Sequence, residues 1–361
     1  MDTASIVVGT CLIKCPQPEI EMREREGLLH HFEIEIVEGQ KRLKRPKCVI
    51  DRMVKEYKRP AAGQDVSDPE TLRPVPVLHQ TIDYLYSLVT RPNTEWYHIY
   101  DYVFDRLRAV RQDIVIQDIQ GLDAISLLEK IVRFYVLAVY RMGNKITPSF
   151  DPAINNQHTQ ECLKRLLSLY TEVDGPHSNQ VEFESIYLMF NLGDTSALLH
   201  YLDLPTLIRN CPHLKLVYCA SINYLLQNYV KCLRQIQKLT NVLCLCATHR
   251  HLCKIQQSSL YIMSVAYGSK NCKYPTNRLE ELLCFNSQDE AENTLEKCGL
   301  PVKDGSVCFQ KSLFKKEDKM SWKPWQQLEN LLNRRNLTGV LLGKSDSIPL
   351  PDISNLSLND R

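Results

Sequence analysis

Glycine is scarce in this 361-residue chain, at 13 occurrences. Few glycines argue against phosphate-cradling loops and against a sheet-rich α/β enzyme, whose tight turns and close ligand approaches need residues without a Cβ. Net charge is nearly absent too, with 44 Lys and Arg against 42 Asp and Glu. No overall basic field attracts phosphates, so any nucleic-acid contact has to come from a local patch. Long apolar runs are missing, and none reaches the ~18 residues of a membrane span, so no membrane partner is expected. Met1-Asp2 offers no basic n-region and Ile6-Val7-Val8 is too short for an h-region, so no signal peptide is expected. In a soluble intracellular chain the 14 cysteines are reduced thiols, many of them small core hydrophobes.

Catalytic signatures are missing as well. No G-x-S-x-G, G-x-x-x-x-G-K-[ST], G-x-G-x-x-G or H-E-x-x-H occurs. Acids are plentiful but scattered, so no carboxylate pair stands out for acid–base work. The expectation is a non-enzyme with no cofactor. Two cysteine groups invite a metal reading. Cys11 and Cys15 supply half a zinc site, but no second pair with finger-like spacing follows. Cys244, Cys246, His249, His251 and Cys253 lie on a helical pattern. Cys246 and Cys253 are then about 10 Å apart along the axis, too far for one ion. The expected metal ligands are therefore none.

The chain does contain helices, one after another. The length allows two domains. Residues 1–75 read as extended or irregular, with one charged helix at about 19–32. Residues 17–38 carry seven acids and two Arg, whereas residues 41–59 carry nine Lys or Arg and two acids. These runs either neutralise each other or stay solvated, or the basic run meets an acidic partner or phosphates.

From 76 to 268 the pattern is helical. In 95–118 a stripe runs Val103, Leu107, Val110, Ile114. In 121–142 two stripes appear, Ile125, Leu128, Val132, Tyr135, Val139 and Leu127, Ile131, Phe134, Ala138, as in a helix packed on two sides. Further helices are expected from Cys162 to Tyr170, from Phe183 to Phe190, and from Leu216 through Leu239. Successive helix pairs suggest an α-solenoid-like stack. Residues 273–315 read as helix, helix, hairpin, the order of a winged helix. The signals are Leu279, Leu282 and Leu283, then a capping box at Ser287–Glu290, then a hairpin turning at Asp304-Gly305. Residues 316–361 are expected to hold a C-terminal helix and a disordered tail.

Basic residues punctuate this scheme where helix formation does not require them. They occur at Lys55, Arg59 and Arg73, and on the 95–118 helix at Arg106, Arg108 and Arg111, with Tyr57 between. One reading is a structural clamp, in which the arginines pin the segments around Arg59 and Arg73 onto the helical layer. The other is a partner surface. In the expected winged helix, residues 276–298 carry six acids and two bases, so groove reading by its second helix is disfavoured and a protein–protein role fits better. Lys311, Lys315, Lys316 and Lys319 gather past the hairpin, partly offset by Glu317 and Asp318, and are the candidate residues for an auxiliary contact to RNA or DNA.

These segments resemble the Sac-three/GANP family. The resemblance lies in Gly9-Thr10-Cys11 with Cys15-Pro16 and Glu19, then Val54 to Gly63, Leu72-Arg73-Pro74, Thr81 with Tyr84-Leu85, and Phe104 to Asp113. It continues through Glu129 with Arg133-Phe134, and Phe183 with Tyr187-Leu188 and Asn191-Leu192-Gly193, all in the family's order. It implies an all-α, PCI-like helical stack followed by a small winged helix. It also implies a scaffold whose partners are a second PCI-domain protein and a small acidic subunit. Longer members anchor TREX-two, which couples transcription to mRNA export. The chain is similar to the short members associated with centrosome duplication and spindle assembly. Centrosomal and spindle proteins are thus expected partners, with residence in cytoplasm and nucleus. A TREX-two-like export factor is the alternative.

Overall fold

The computed structural model describes residues 7–35, 46–59, 67–143, 150–269, 271–317, 322–345 and 348. The Pro60–Gly63 turn, the bases at 41–45, Lys319 and the expected tail beyond 348 lie outside these residues. The described residues are mostly helical with one small sheet, an all-α protein in outline. They divide into two compact units, residues 1–132 with 168–173, and residues 133–167 with 174–361.

The first unit begins with extended segments and α1 (Gln17–Glu26). The helix expected at about 19–32 is shorter because Gly27 takes a left-handed φ of 72° and its N–H closes the end on Glu24 O. Next come α2 (Val75–Ser87), α3 (Trp96–Ile116) and the first half of α4 (Gly121–Met142). The α3 stripe Val103, Leu107, Val110, Ile114 is buried, as its spacing predicts.

The second unit takes the rest of α4 and most of α5 (Pro152–Glu172), followed by α6 (Gln180–Phe190), α7 (Thr195–Asp203) and α8 (Thr206–Arg209). It continues through α9 (Pro212–Leu225), α10 (Tyr229–Ile236) and α11 (Val242–Ala266). All eleven residues of α6 are buried, and it packs on both α9 and α11. The helix expected from Leu216 to Leu239 is two helices, α9 and α10. Gln227 at φ 59° breaks the run, and the Asn228 side chain restarts it by accepting from Lys231 N at 3.3 Å.

After α11 come β1 (Tyr274–Pro275), α12 (Thr276–Leu283), α13 (Gln288–Lys297), β2 (Val302–Lys303) and β3 (Ser306–Val307). Ser287 caps α13 by accepting from Glu290 N, and the Glu290 carboxylate reaches back to Asn286 N at 2.8 Å. Asp304 and Gly305 both take positive φ, the requirement of a two-residue type I′ hairpin. The hairpin gains an unexpected third strand, because β1 pairs antiparallel with β3, giving the order β1-β3-β2. The C-terminal stretch carries α14 (Gln326–Asn333) and α15 (Leu337–Leu341). Trp322 packs beside Tyr140 and His249, and Glu329 accepts from Tyr140 Oη at 2.5 Å and from Arg141.

Candidate functional site: a buried charged centre on α3

The centre lies in the first unit and starts from α3. Tyr102, Arg106, Asp113 and Gln117 recur at spacings of four, seven and four, which puts them on one helical face. That face is polar yet buried, with Arg106 at 4% exposure and Asp113 at 0%. Burying charges is costly unless they are paired and hydrogen-bonded. The partners come from the extended segments before α2.

Asp113 organises one end. Its Oδ1 accepts from Lys55 Nζ and its Oδ2 from Arg73 Nε, both at 2.7 Å. Lys55 Nζ also donates to Thr71 O at 2.7 Å, and Arg73 Nη1 donates to Lys14 O at 3.3 Å. Gln117 continues the seam by donating to Arg73 O at 2.9 Å and accepting from Gly9 N at 2.8 Å. Residue 9 must be glycine here, since a Cβ would stand 2.4 Å from Leu72 O, a backbone atom.

Arg106 organises the other end. Its guanidinium donates to Asp105 at 2.5 Å, Glu56 at 2.8 Å and Glu33 at 3.4 Å. Glu33 also receives Arg23 and, at 3.1 Å, the Tyr102 hydroxyl. Glu19 accepts from Glu56 N at 2.8 Å and pairs with Arg23 and Lys58. Burial pulls the Arg106 pKa down, but Tyr102, Glu33, Glu56 and Asp105 carry it above its ordinary value. Burial, reinforced by Glu19, pushes the Cys15 thiol well up, so it stays protonated and is a poor nucleophile.

Charges balance across the centre. Arg23, Lys55, Lys58, Arg73 and Arg106 meet Glu19, Glu33, Glu56, Asp105 and Asp113. Chemically, this arrangement holds extended chain against a helix. Of the basic residues marked in the sequence, Lys55, Arg73 and Arg106 are inside it. Arg108 is half-buried with its guanidinium 3.8 Å from the Tyr57 ring centre. Asp105, three residues before Arg108, is taken by Arg106 and by Tyr57 N. Arg111 is half-buried on α3 and Arg59 is exposed. Of the acids that complete the centre, Glu19 and Asp113 stand out in the sequence only as marks of the family resemblance, and Glu33 does not stand out there. For Asp113 the available signal was the polar Tyr102, Arg106, Asp113, Gln117 stripe beside the apolar one.

The other marked residues lie in the second unit. Lys311, Lys315 and Lys316 are exposed past the hairpin. Lys316 joins Gln227, Tyr229, Tyr261, Ile262 and Phe314 in lining a groove of about 460 Å³. In the cysteine–histidine group, His249 Nε2 donates to Lys323 O at 2.9 Å and His251 Nε2 to Phe190 O at 3.1 Å, so the two rings reach carbonyls on different segments. Among the described residues, no group of three or more His, Cys, Asp or Glu is placed to hold a metal ion.

The SAC3/GANP family model matches residues 14–304, which contain nearly all of the charged centre and the helix–helix–hairpin stretch through Asp304. The chain belongs to the SAC3/GANP family. It is 26% identical to Protein xmas of Drosophila melanogaster over 313 residues, 82% of this chain and 15% of the fly protein. It is 25% identical to SAC3 family protein 1 of Schizosaccharomyces pombe over 378 residues, 96% of this chain and 36% of the yeast protein. SAC3 family protein B of Arabidopsis thaliana is 32% identical over 174 residues, 46% of this chain and 10% of the plant protein. The chain thus spans a minor part of each relative. Several residues of the family order noted in the sequence meet in this centre: Lys55 and Arg73 reach Asp113 of α3, Arg106 stands on α3, and Glu19, with the Cys15 thiol 3.6 Å away, holds Glu56 N.

Proposed function

We propose that this chain is a non-enzymatic scaffold that holds a PCI-domain protein through its C-terminal end. In this reading β1 to β3 with α12 and α13 form a winged-helix unit appended to a PCI-like helical stack, and the charged centre only keeps the first unit rigid. One observation carries it. The last turns of α11 are apolar on two sides. Leu260 and Met263 face the interior, whereas Tyr261, Ile262 and Val265, at spacings of one and three, are exposed at 45%, 37% and 50%. A helix apolar all round is normally covered all round, and exposed apolar patches of this kind mark protein interfaces. Leu313 is also exposed beyond the hairpin, and Phe314 packs 5.3 Å from Tyr261.

Family membership supports a setting in mRNA export, with a small acidic subunit as a further partner. Centrosome duplication and spindle assembly are the second setting. Affinity purification from nuclease-treated dividing cells separates them. The export setting predicts a PCI-domain protein and a small acidic subunit together with export factors. Recovery of centrosomal and spindle proteins without those subunits supports the second setting and refutes the PCI-partner reading.

Nucleic acid is a second reading for the same end, favoured by Lys316 in a groove with Tyr229, Tyr261 and Phe314. Aromatic rings with adjacent lysines stack single-stranded bases and neutralise phosphates. It predicts binding to a single-stranded RNA that weakens steeply with salt, and a flat salt response refutes it.

A further inference from the structure

The charged centre opens onto a cleft of about 440 Å³ in the first unit. Its lining has an apolar part, Pro16, Pro18, Met22 and Ile116, and a basic part, Lys55, Lys58 and Arg59. Its sole carboxylate among the lining residues, Glu19, is buried and already engaged by Arg23, Lys58 and Glu56 N. Lys55 is likewise committed, to Asp113 and Thr71 O. Two cations are therefore presented outward. The Lys58 side chain is 58% exposed, with only the Glu19 contact at 3.1 Å to release, and Arg59 is exposed beside it. The first turn of α1, at Pro16 and Pro18, lines the same cleft and adds the positive end of a helix dipole.

We propose that this cleft binds a short acidic peptide segment of a protein partner, with a leucine-sized side chain against Pro16, Met22 and Ile116 and flanking carboxylates on Lys58 and Arg59. A cleft of this size takes a ligand of a few residues, with apolar contacts giving affinity and a few polar groups fixing orientation. Arg59 offers a planar fork suited to a carboxylate. Lys58 exchanges the Glu19 carboxylate for that of the ligand, while Glu19 keeps Arg23. Among the described residues the lining holds aliphatic side chains and prolines but no aromatic ring on which a base would stack, so it favours peptide over RNA. This inference stands apart from the scaffold reading, because the cleft belongs to the other unit.

The test is fluorescence anisotropy with the full chain and the labelled heptapeptide DELPLDE. A DESPSDE peptide of equal charge and a uridine heptanucleotide serve as comparisons. The proposal expects saturable binding of DELPLDE below about 1 mM and about tenfold weaker binding of the serine peptide. It expects Lys58→Glu with Arg59→Glu to weaken DELPLDE about tenfold or more, and Ile116→Asp to do the same. Lys311→Glu, in the other unit, leaves binding unchanged. Arg59 is exposed and outside the charged centre, so Arg59→Glu alone folds and should weaken DELPLDE about threefold or more, while circular dichroism checks the double variant, whose Lys58→Glu sets a carboxylate beside Glu19. Equal affinity for both peptides, tighter binding of the uridine oligonucleotide, or an unchanged Lys58/Arg59 variant overturns the proposal.

Discussion

Replacing Asp113 by Asn changes one charge and almost no volume. Asp113 is fully buried and accepts from Lys55 Nζ, Arg73 Nε and, at 3.4 Å, Arg73 N. The Arg73 side chain is fully buried and the Lys55 side chain is 10% exposed, so neither cation has much water to turn to. Removing one partner of a buried ion pair costs about 3–5 kcal/mol, because it leaves an uncompensated charge inside. A domain's whole stability is about 5–15 kcal/mol, so the variant loses a large fraction of it. Lys55→Met leaves Arg73 paired with Asp113 and should cost less, and in the Lys55→Met/Asp113→Asn double variant the effects should fall short of additivity by about 1–3 kcal/mol. Glu281→Gln on α12, whose pair with Arg278 is largely exposed, should cost about 0–1 kcal/mol. Urea unfolding followed by circular dichroism gives the totals, and hydrogen exchange of the α3 amides locates the loss. A cost below about 1 kcal/mol for Asp113→Asn refutes the reasoning that this ion pair clamps the extended segments.

Three further outcomes are expected. Gly9→Ala drives a Cβ against Leu72 O and should cost about 1–3 kcal/mol, read as a lowered midpoint in thermal unfolding. Arg106→Ala takes one of two cations from Glu33 and Glu56, which both keep Arg23, and should cost about 1–3 kcal/mol, whereas Arg108→Ala removes cation–π contacts with Tyr57 and Phe104 worth about 0.5–1 kcal/mol; partner binding lost without any loss of stability contradicts this ranking. Burial lowers the His249 pKa to about 4, below its unfolded value, so its neutral form stabilises the fold above about pH 6.5 and that contribution is lost as pH falls toward 4. By pH 5 the loss is on the order of 2 kcal/mol, and His249→Gln should reduce the pH dependence of the melting temperature over that range, leaving the share of His30, His213 and His251, which burial also pushes down.

Helical periodicity, caps and turns were legible in the sequence because each is a local signal. The stripes of α3 and α4, the Ser287 cap and the Asp304-Gly305 turn are determined by residues within a few positions of one another. The α9–α10 break was hidden because Leu225-Leu226-Gln227-Asn228 contains neither Gly nor Pro, and a left-handed Gln227 leaves no compositional mark. Strand β1 was hidden because two residues, one of them Pro, show no alternation. In the charged centre Lys55, Arg73 and Arg106 were visible, as basic residues that helix formation does not require. Arg23 and Lys58 were not, and the acids stood at most inside the family's segments with no sign of their pairing. Glu33 meets Arg106 across 73 positions, and Lys55 meets Asp113 across 58. Such pairs follow from the fold, and a scattered Glu in a charged stretch looks like a solvated one until the chain closes around it.

The central claim is that the apolar face at the end of α11 holds a PCI-domain protein. Light scattering on gel-filtered mixtures of the purified chain with the PCI-domain protein recovered from cells tests it most directly, comparing wild type with Ile262→Asp/Val265→Asp. These side chains are exposed, so the variant should fold with an unchanged melting temperature. The account predicts a one-to-one complex with the wild type and none with the variant. A folded variant that binds as tightly as wild type contradicts it.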